Sequence, residues 1–238
     1  MKVGILAAGI GSRLQPYTND KPKALLEINK TTMIGNLIKQ LKDNNLKDFV
    51  IIVGHEDKKL INYLRNTFPK DHFKFIYNSN YYNMNNIYSF YLLKPYVLNE
   101  DLILANSDLI CEDAIVELLA KSPLNTVMVD NKKKLNEESM KILINDKGHI
   151  SQMGKELIPS ASYGEYIGLL KLSHDRVSQI METVGDFIHK GEVNVWYENA
   201  INKDLRILEL LPISTSGHQW FEIDTHEDYS SAKEIFGL

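Results

Sequence analysis

Short apolar runs alternate with helical stretches along the first half of this chain, and that alternation limits its fold more than any other feature. The runs cover 2–7, 48–53, 73–77, 101–105 and 125–130, and each is too short for a helix. Between them, 31–44, 57–68, 86–93 and 112–121 carry apolar residues at helical spacing, as with Ile34, Leu37, Ile38 and Leu41. Strand, helix, strand order with apolar strands requires right-handed crossovers and a mostly parallel sheet covered on both faces. Such a sheet takes ligands where its strands end at their carboxyl side. From about residue 131 the rhythm changes. A hairpin is expected over 140–144 and 149–152, a strand at 166–172, and a helix at 174–190. A shorter helix follows at 193–202, then strands at 206–211 and 219–223 and a final helix at 225–236. The chain is read as one domain over 1–238, with two halves, 1–130 and 131–238, that meet where the rhythm changes.

The first strand runs into Leu6-Ala7-Ala8-Gly9-Ile10-Gly11-Ser12-Arg13-Leu14, and Lys21-Pro22-Lys23 follows. Small residues at this turn let backbone N–H groups face a polyphosphate without a Cβ in the way. The guanidinium of Arg13 suits the β- and γ-phosphates and the departing pyrophosphate. The Lys23 ammonium suits the α-phosphate, where charge builds as it is attacked. Two commoner phosphate loops do not fit. The spacing of a Walker A loop is absent, and Leu14 stands where a dinucleotide fingerprint needs its third glycine.

Transfer from a triphosphate also needs a cation, and Mg²⁺ takes carboxylates, phosphate oxygens and water. Asp108 follows the apolar strand 101–105, and Asp224 ends the run Trp220-Phe221-Glu222-Ile223, so both are candidates. Each has a rival reading as the capping residue of the helix that follows it. Glu222 alternates onto the same strand face as Asp224 and is a candidate outer-shell group and a candidate acceptor-binding residue.

Composition narrows the function. The net charge of −4 argues against a nucleic-acid surface. Cys111 is the single cysteine, which excludes an internal disulfide and a cysteine-based zinc site. No apolar stretch reaches 18 residues, and the opening residues do not make a signal peptide, so a cytoplasmic protein without a membrane span is expected. A homodimer is compatible with these features. The seven histidines show no metal spacing, and the run Lys132-Lys133-Lys134 reads as a solvated loop.

The pattern Leu-Ala-Ala-Gly-x-Gly-Ser-Arg-Leu followed by Pro-Lys-x-Leu resembles the sugar-phosphate nucleotidyltransferases and their cytidylyltransferase relatives. The resemblance implies a Rossmann-like three-layer α/β/α fold with a mostly parallel mixed sheet, of the nucleotide-diphospho-sugar transferase type. It places Leu6, Ala7, Ala8, Gly9, Gly11 and Ser12 at the nucleotide and gives Arg13 and Lys23 catalytic roles. It also strengthens Asp108 and Asp224 as the Mg²⁺ pair. Asn78, the run Asn83 to Ser89 with Asn85 and Ser89, Trp196-Tyr197-Glu198-Asn199 and Phe221 to Tyr229 are similar to phosphocholine cytidylyltransferases. They are also similar to relatives acting on aminoethylphosphonate and other phospho-alcohols. CTP and a small phosphorylated or phosphonate acceptor are therefore the implied substrates.

For the acceptor, an amine is well held by an aromatic face beside a carboxylate, which Trp196, Tyr197 and Glu198 supply. Lys155 is a candidate for the acceptor phosphate. Glu165, ahead of Tyr166-Ile167-Gly168, is a candidate for sugar hydroxyls. Two alternatives stand beside this reading. One is a sugar-1-phosphate nucleotidylyltransferase using UTP, GTP or dTTP, and the other is a non-catalytic nucleotide-sensing subunit.

Overall fold

The computed structural model describes residues 1–237. At its centre is a nine-stranded sheet. From one edge its order is Ile150–Gly154, Lys141–Ile144, Gly164–Leu172, Leu102–Asn106, Lys2–Ala7, Phe49–Val53 and Phe73–Tyr77. Thr126–Asp130 also pairs with Gly164–Leu172 and carries Leu211–Ser214 on its other side. The strands from Leu102–Asn106 to Phe73–Tyr77 are parallel, while Gly164–Leu172 runs antiparallel to its neighbours. The mostly parallel mixed sheet expected from the sequence is present, and its pairings join the two halves of the chain.

Alternate side chains of the first strand feed two different cores. Val3, Ile5 and Ala7 pack with helices Met33–Asp43, Asp57–Thr67 and Asp113–Lys121. Leu6 packs with Asn86–Leu92, His174–His189 and Tyr197–Leu208 on the opposite face. This is the period-two signature of a strand buried on both sides. A third, smaller core gathers Leu14, Leu26, Ile28, Met33, Ile110, Ile223, Tyr229 and Ala232. It ties the glycine loop to the C-terminal helix His226–Phe236.

Two expected elements change. The strand expected at 206–211 is in part the end of the helix Tyr197–Leu208, and pairing resumes only at Leu211–Ser214. Ala200, Ile201, Asp204, Leu205 and Leu208 are buried at helical spacing, and that periodicity overrides the local alternation around Ile207. The helix also begins later than 193, because Trp196 is its extended N-cap residue. Among the described residues, no helix is long and apolar enough to cross a membrane.

Candidate active site

The first parallel strand ends in the cleft that the sequence pointed to. The cleft holds about 540 Å³ and is lined by Leu6, Ala7, Ala8, Gly9, Arg13 and Lys23 from the opening segment. Asn78, Asn85 and Ser89 line a further wall, where Asn78 donates to Ser89 Oγ at 3.0 Å. A Cβ on Gly9 would meet nothing within 4 Å, and Gly9 does not have a positive φ. The protein itself does not require glycine there, so the open space suits a ligand's backbone-close approach. Gly11 is different. Its φ is +67°, and a Cβ would stand 3.1 Å from that of Lys23, so glycine is needed to make the turn. Gly11 and Ser12 do not line this cleft and shape the loop that carries Arg13.

Two distant parts of the chain are brought together by the small third core. Leu14 and Leu26 bracket the loop, and both pack with Ile110 and Ile223, which follow Asp108 and precede Asp224. Leu109–Cys111 and Trp220–Glu222 then pair as a short antiparallel ribbon, with Glu222 opposite Leu109. The Ile223 N–H donates to the Asp108 carbonyl at 3.0 Å and fixes the two acids beside each other. Asp224 is not the helix cap. Thr225 caps His226–Phe236, and the Asp228 carboxylate accepts from the backbone N–H of Thr225 and of Asp224. The Asp224 carboxylate is thereby left to face the cleft.

The loop cations and the two acids meet. Lys23 Nζ donates to Asp108 Oδ2 at 2.8 Å and to Asp224 Oδ1 at 2.5 Å. Arg13 donates to Asp224 Oδ2 at 2.7 Å. Burial works against the Lys23 ammonium, but Asp108 and Asp224 outweigh it and hold its pKa above the ordinary lysine value. Asp224 is likewise buried at a cost, yet Lys23 and then Arg13 pull its carboxyl below the usual range. Glu222 is open to the cleft. Desolvation, followed by repulsion from Asp108 and Asp224, pushes its carboxyl up to about 8.

Oxygens of Asp108, Glu222 and Asp224 lie within 4.8 Å of one another, and Asp108 Oδ1 is buried without a hydrogen-bond partner. An all-oxygen set with a bare buried oxygen fits a hard divalent cation.

The acceptor candidates divide. Lys155, Trp196, Glu198 and Glu222 line the same cleft. Lys155 pairs with Glu138 at 3.1 Å, and desolvation pushes the buried Glu198 carboxyl up to about 7. Tyr197 is a correction. It begins the helix with its ring inside the core, 5.5 Å from the Phe90 ring, and its hydroxyl meets that of Tyr166 at 2.9 Å. Glu165 accepts from Ser139 Oγ at 3.0 Å, pairs with Lys133 at 2.8 Å, and lines an adjoining pocket that shares Arg13, Lys155, Glu222 and Asp224 with this cleft. Tyr166 and Gly168, two residues apart on one face of the strand, line the cleft, and Glu165 lies on the alternate face with Ile167 and Leu169. Asn106 and Met84 also line the cleft and were not singled out from sequence. Asn106 ends the strand beside Lys2–Ala7, a position that could have drawn attention to it.

Residues 2–138 match the nucleotidyl transferase family. The chain belongs to that family. It is 27% identical over 237 residues to the choline-phosphate cytidylyltransferase of Streptococcus pneumoniae, covering 99% of this chain and 98% of that one. It is 31% identical over 217 residues to the CTP:phosphoglutamine cytidylyltransferase of Campylobacter jejuni, covering 84% and 82%. The solved structure of the CTP:phosphocholine cytidylyltransferase from Streptococcus pneumoniae has a TM-score of 0.79 to this nucleotidyl transferase, at 24% identity and 98% coverage of both, which shows the shared fold. The resemblance read from the opening motif is borne out.

Proposed function

We propose that this nucleotidyl transferase moves CMP from CTP onto a small acceptor bearing a phosphate or phosphonate, and releases pyrophosphate. The observation that carries the reading is the position of Lys23, held between Asp108 and Asp224 with Arg13 on the outer oxygen of Asp224. The names of the two relatives above support CTP as the donor. The pairing of Gly164–Leu172 with Leu102–Asn106 supports treating residues 1–238 as one domain. The reading extends to a cytoplasmic location.

Asp108 and Asp224, with Glu222 beside them, are the residues that would hold Mg²⁺, which when bound supplies charge neutralisation for the triphosphate. The protein's own side chains do the rest. The backbone around Ala8 and Gly9 receives the nucleotide at the strand end. Lys23 exchanges its carboxylate partners for the α-phosphate oxygens and stabilises the charge that develops there. Arg13 exchanges Asp224 for the β- and γ-phosphates and holds the leaving pyrophosphate. An acceptor oxygen forms the new bond to the α-phosphorus while the bond from that phosphorus to the β-phosphate bridging oxygen breaks. The acceptor oxygen is already ionised at neutral pH, so no general base is needed and catalysis is positioning and charge stabilisation.

The test is pyrophosphate release with Mg²⁺ and each of CTP, UTP, GTP and dTTP, crossed with choline phosphate, aminoethylphosphonate and hexose 1-phosphates. The proposal expects turnover concentrated in the CTP row with the small acceptors. Turnover confined to a hexose 1-phosphate with another nucleotide would overturn it, and so would CTP binding without turnover of any acceptor.

A further inference from the structure

One oxygen at the acceptor end of the cleft has nothing to bond. Glu198 sits in the first turn of the helix Tyr197–Leu208 and lines the cleft while only 6% exposed. Its Oε2 is buried and has no hydrogen-bond partner. Ionised, Glu198 accepts and does not donate, so an N–H or O–H group is what completes it, and leaving it bare is costly.

The surroundings select the kind of donor. Burial raises the Glu198 carboxyl most, and Lys155 draws on it more than Asp108 repels it, yet the cleft is lined by five acids, Asp108, Glu138, Glu198, Glu222 and Asp224, against three cations. Among the described residues lining the cleft, Lys155 is the one cation besides Arg13 and Lys23, and it is already paired with Glu138. The surplus of acid favours a cationic donor over a neutral hydroxyl. The neighbouring Trp196 is 40% exposed, but the Lys155 ammonium lies 5.1 Å from its ring centroid. The aromatic face that would receive a fully methylated ammonium is therefore already shared with a lysine. Tyr197 is withdrawn into the core and gives no second face, while Tyr81, Tyr82 and Tyr166 also line the cleft, so the discrimination rests on the bare oxygen of Glu198. A trimethylammonium also has no N–H to offer Glu198.

We infer that the far end of the acceptor is an ammonium retaining at least one N–H, held by Glu198, and that Glu198 sets the preference for it over a trimethylammonium. This rests on the small-acceptor reading above and names its substrate class.

The experiment is a methylation series. Turnover with CTP and Mg²⁺ is measured for 2-aminoethyl phosphate carrying zero, one, two and three N-methyl groups, with the wild-type protein and with Glu198→Gln. In the wild type, kcat/KM changes little through the second methyl and drops at least roughly tenfold at the third, where the last N–H is lost. Glu198→Gln lowers kcat/KM for the unmethylated acceptor by a similar factor and removes the step. CTP titration of the variant reads its folding separately. If Glu198→Gln does not fold, the wild-type series decides alone. A trimethylated acceptor turned over as well as or better than the unmethylated one overturns the inference, and so does a step that survives in Glu198→Gln. If no member of the series reacts while a hexose 1-phosphate does, the small-acceptor reading itself is what has failed.

Discussion

Replacing Lys23 with methionine keeps most of the side-chain stem and removes one charge from between two acids. Asp224 retains Arg13, whereas Asp108 loses its ion-pair partner and already has one bare buried oxygen. Breaking a buried ion pair on one side costs about 3–5 kcal/mol, and an exposed pair is worth about 0–1 kcal/mol. The side chains of Lys23, Asp108 and Asp224 are 12%, 23% and 30% exposed, so this cluster lies between those limits. The expected loss is about 2 kcal/mol, small enough to leave a domain of typical stability folded. Urea unfolding at pH 7 with EDTA reads it as a lower midpoint with an unchanged slope. The effect on turnover should be larger, because the role proposed for Lys23 is at the α-phosphate, where charge develops. Losing one such donor costs about 10²–10³ in kcat, with KM for CTP changing far less. A kcat within threefold of wild type would remove Lys23 from the α-phosphate. An unchanged urea midpoint would show that its bridge between the acids contributes nothing.

Gly9→Ala places a methyl group where the protein offers no contact, so stability should stay within about 0.5 kcal/mol while the calorimetric Kd for CTP rises at least roughly tenfold. Unweakened CTP binding would mean that the nucleotide does not pass over Gly9. For Cys111, burial, with Asp113 and Glu112 adding repulsion, pushes the thiol up to about 12. A disulfide reagent at pH 8 should therefore label it only after denaturant is added, and rapid labelling of the native protein would contradict its placement in the core. Asp224 titrates below an ordinary aspartate, so its contribution to stability is present above the unfolded value of about 3.9 and is lost as pH falls through the lower folded value. The stability gap between wild type and Asp224→Asn should be widest near neutral pH and close in strong acid. A gap that persists at pH 2 would place its origin in packing.

Much of the nucleotide side was legible because short-range chemistry controls it. An apolar strand, a glycine turn and a basic pair ten residues apart in sequence force one another into register, and Lys2–Ala7 has the bounds read from sequence. Pairing Asp108 with Asp224 needed more. The contact depends on the three-residue ribbon Leu109–Cys111 with Trp220–Glu222 and on the small core around Leu14 and Ile223. Neither is long enough to leave a periodic trace in the sequence. The acceptor side was less legible for a different reason. Along Gly164–Leu172 alternate residues enter opposite cores, Tyr166 and Leu170 in one and Ile167 and Leu169 in the other, but which of those faces carries the cleft is set by the order of the whole sheet. At the start of Tyr197–Leu208 three chemically suitable residues stand in a row, and helical geometry sends Tyr197 into the core while Trp196 and Glu198 reach the cleft.

The convergence of Asp108 and Asp224 on one metal nucleotide is tested most directly by Mn²⁺ binding, read by electron paramagnetic resonance with and without CTP. The account predicts one tight, CTP-dependent Mn²⁺ per chain in the wild type, lost in both Asp108→Asn and Asp224→Asn. Mn²⁺ held equally well by the variant with both acids replaced would contradict it.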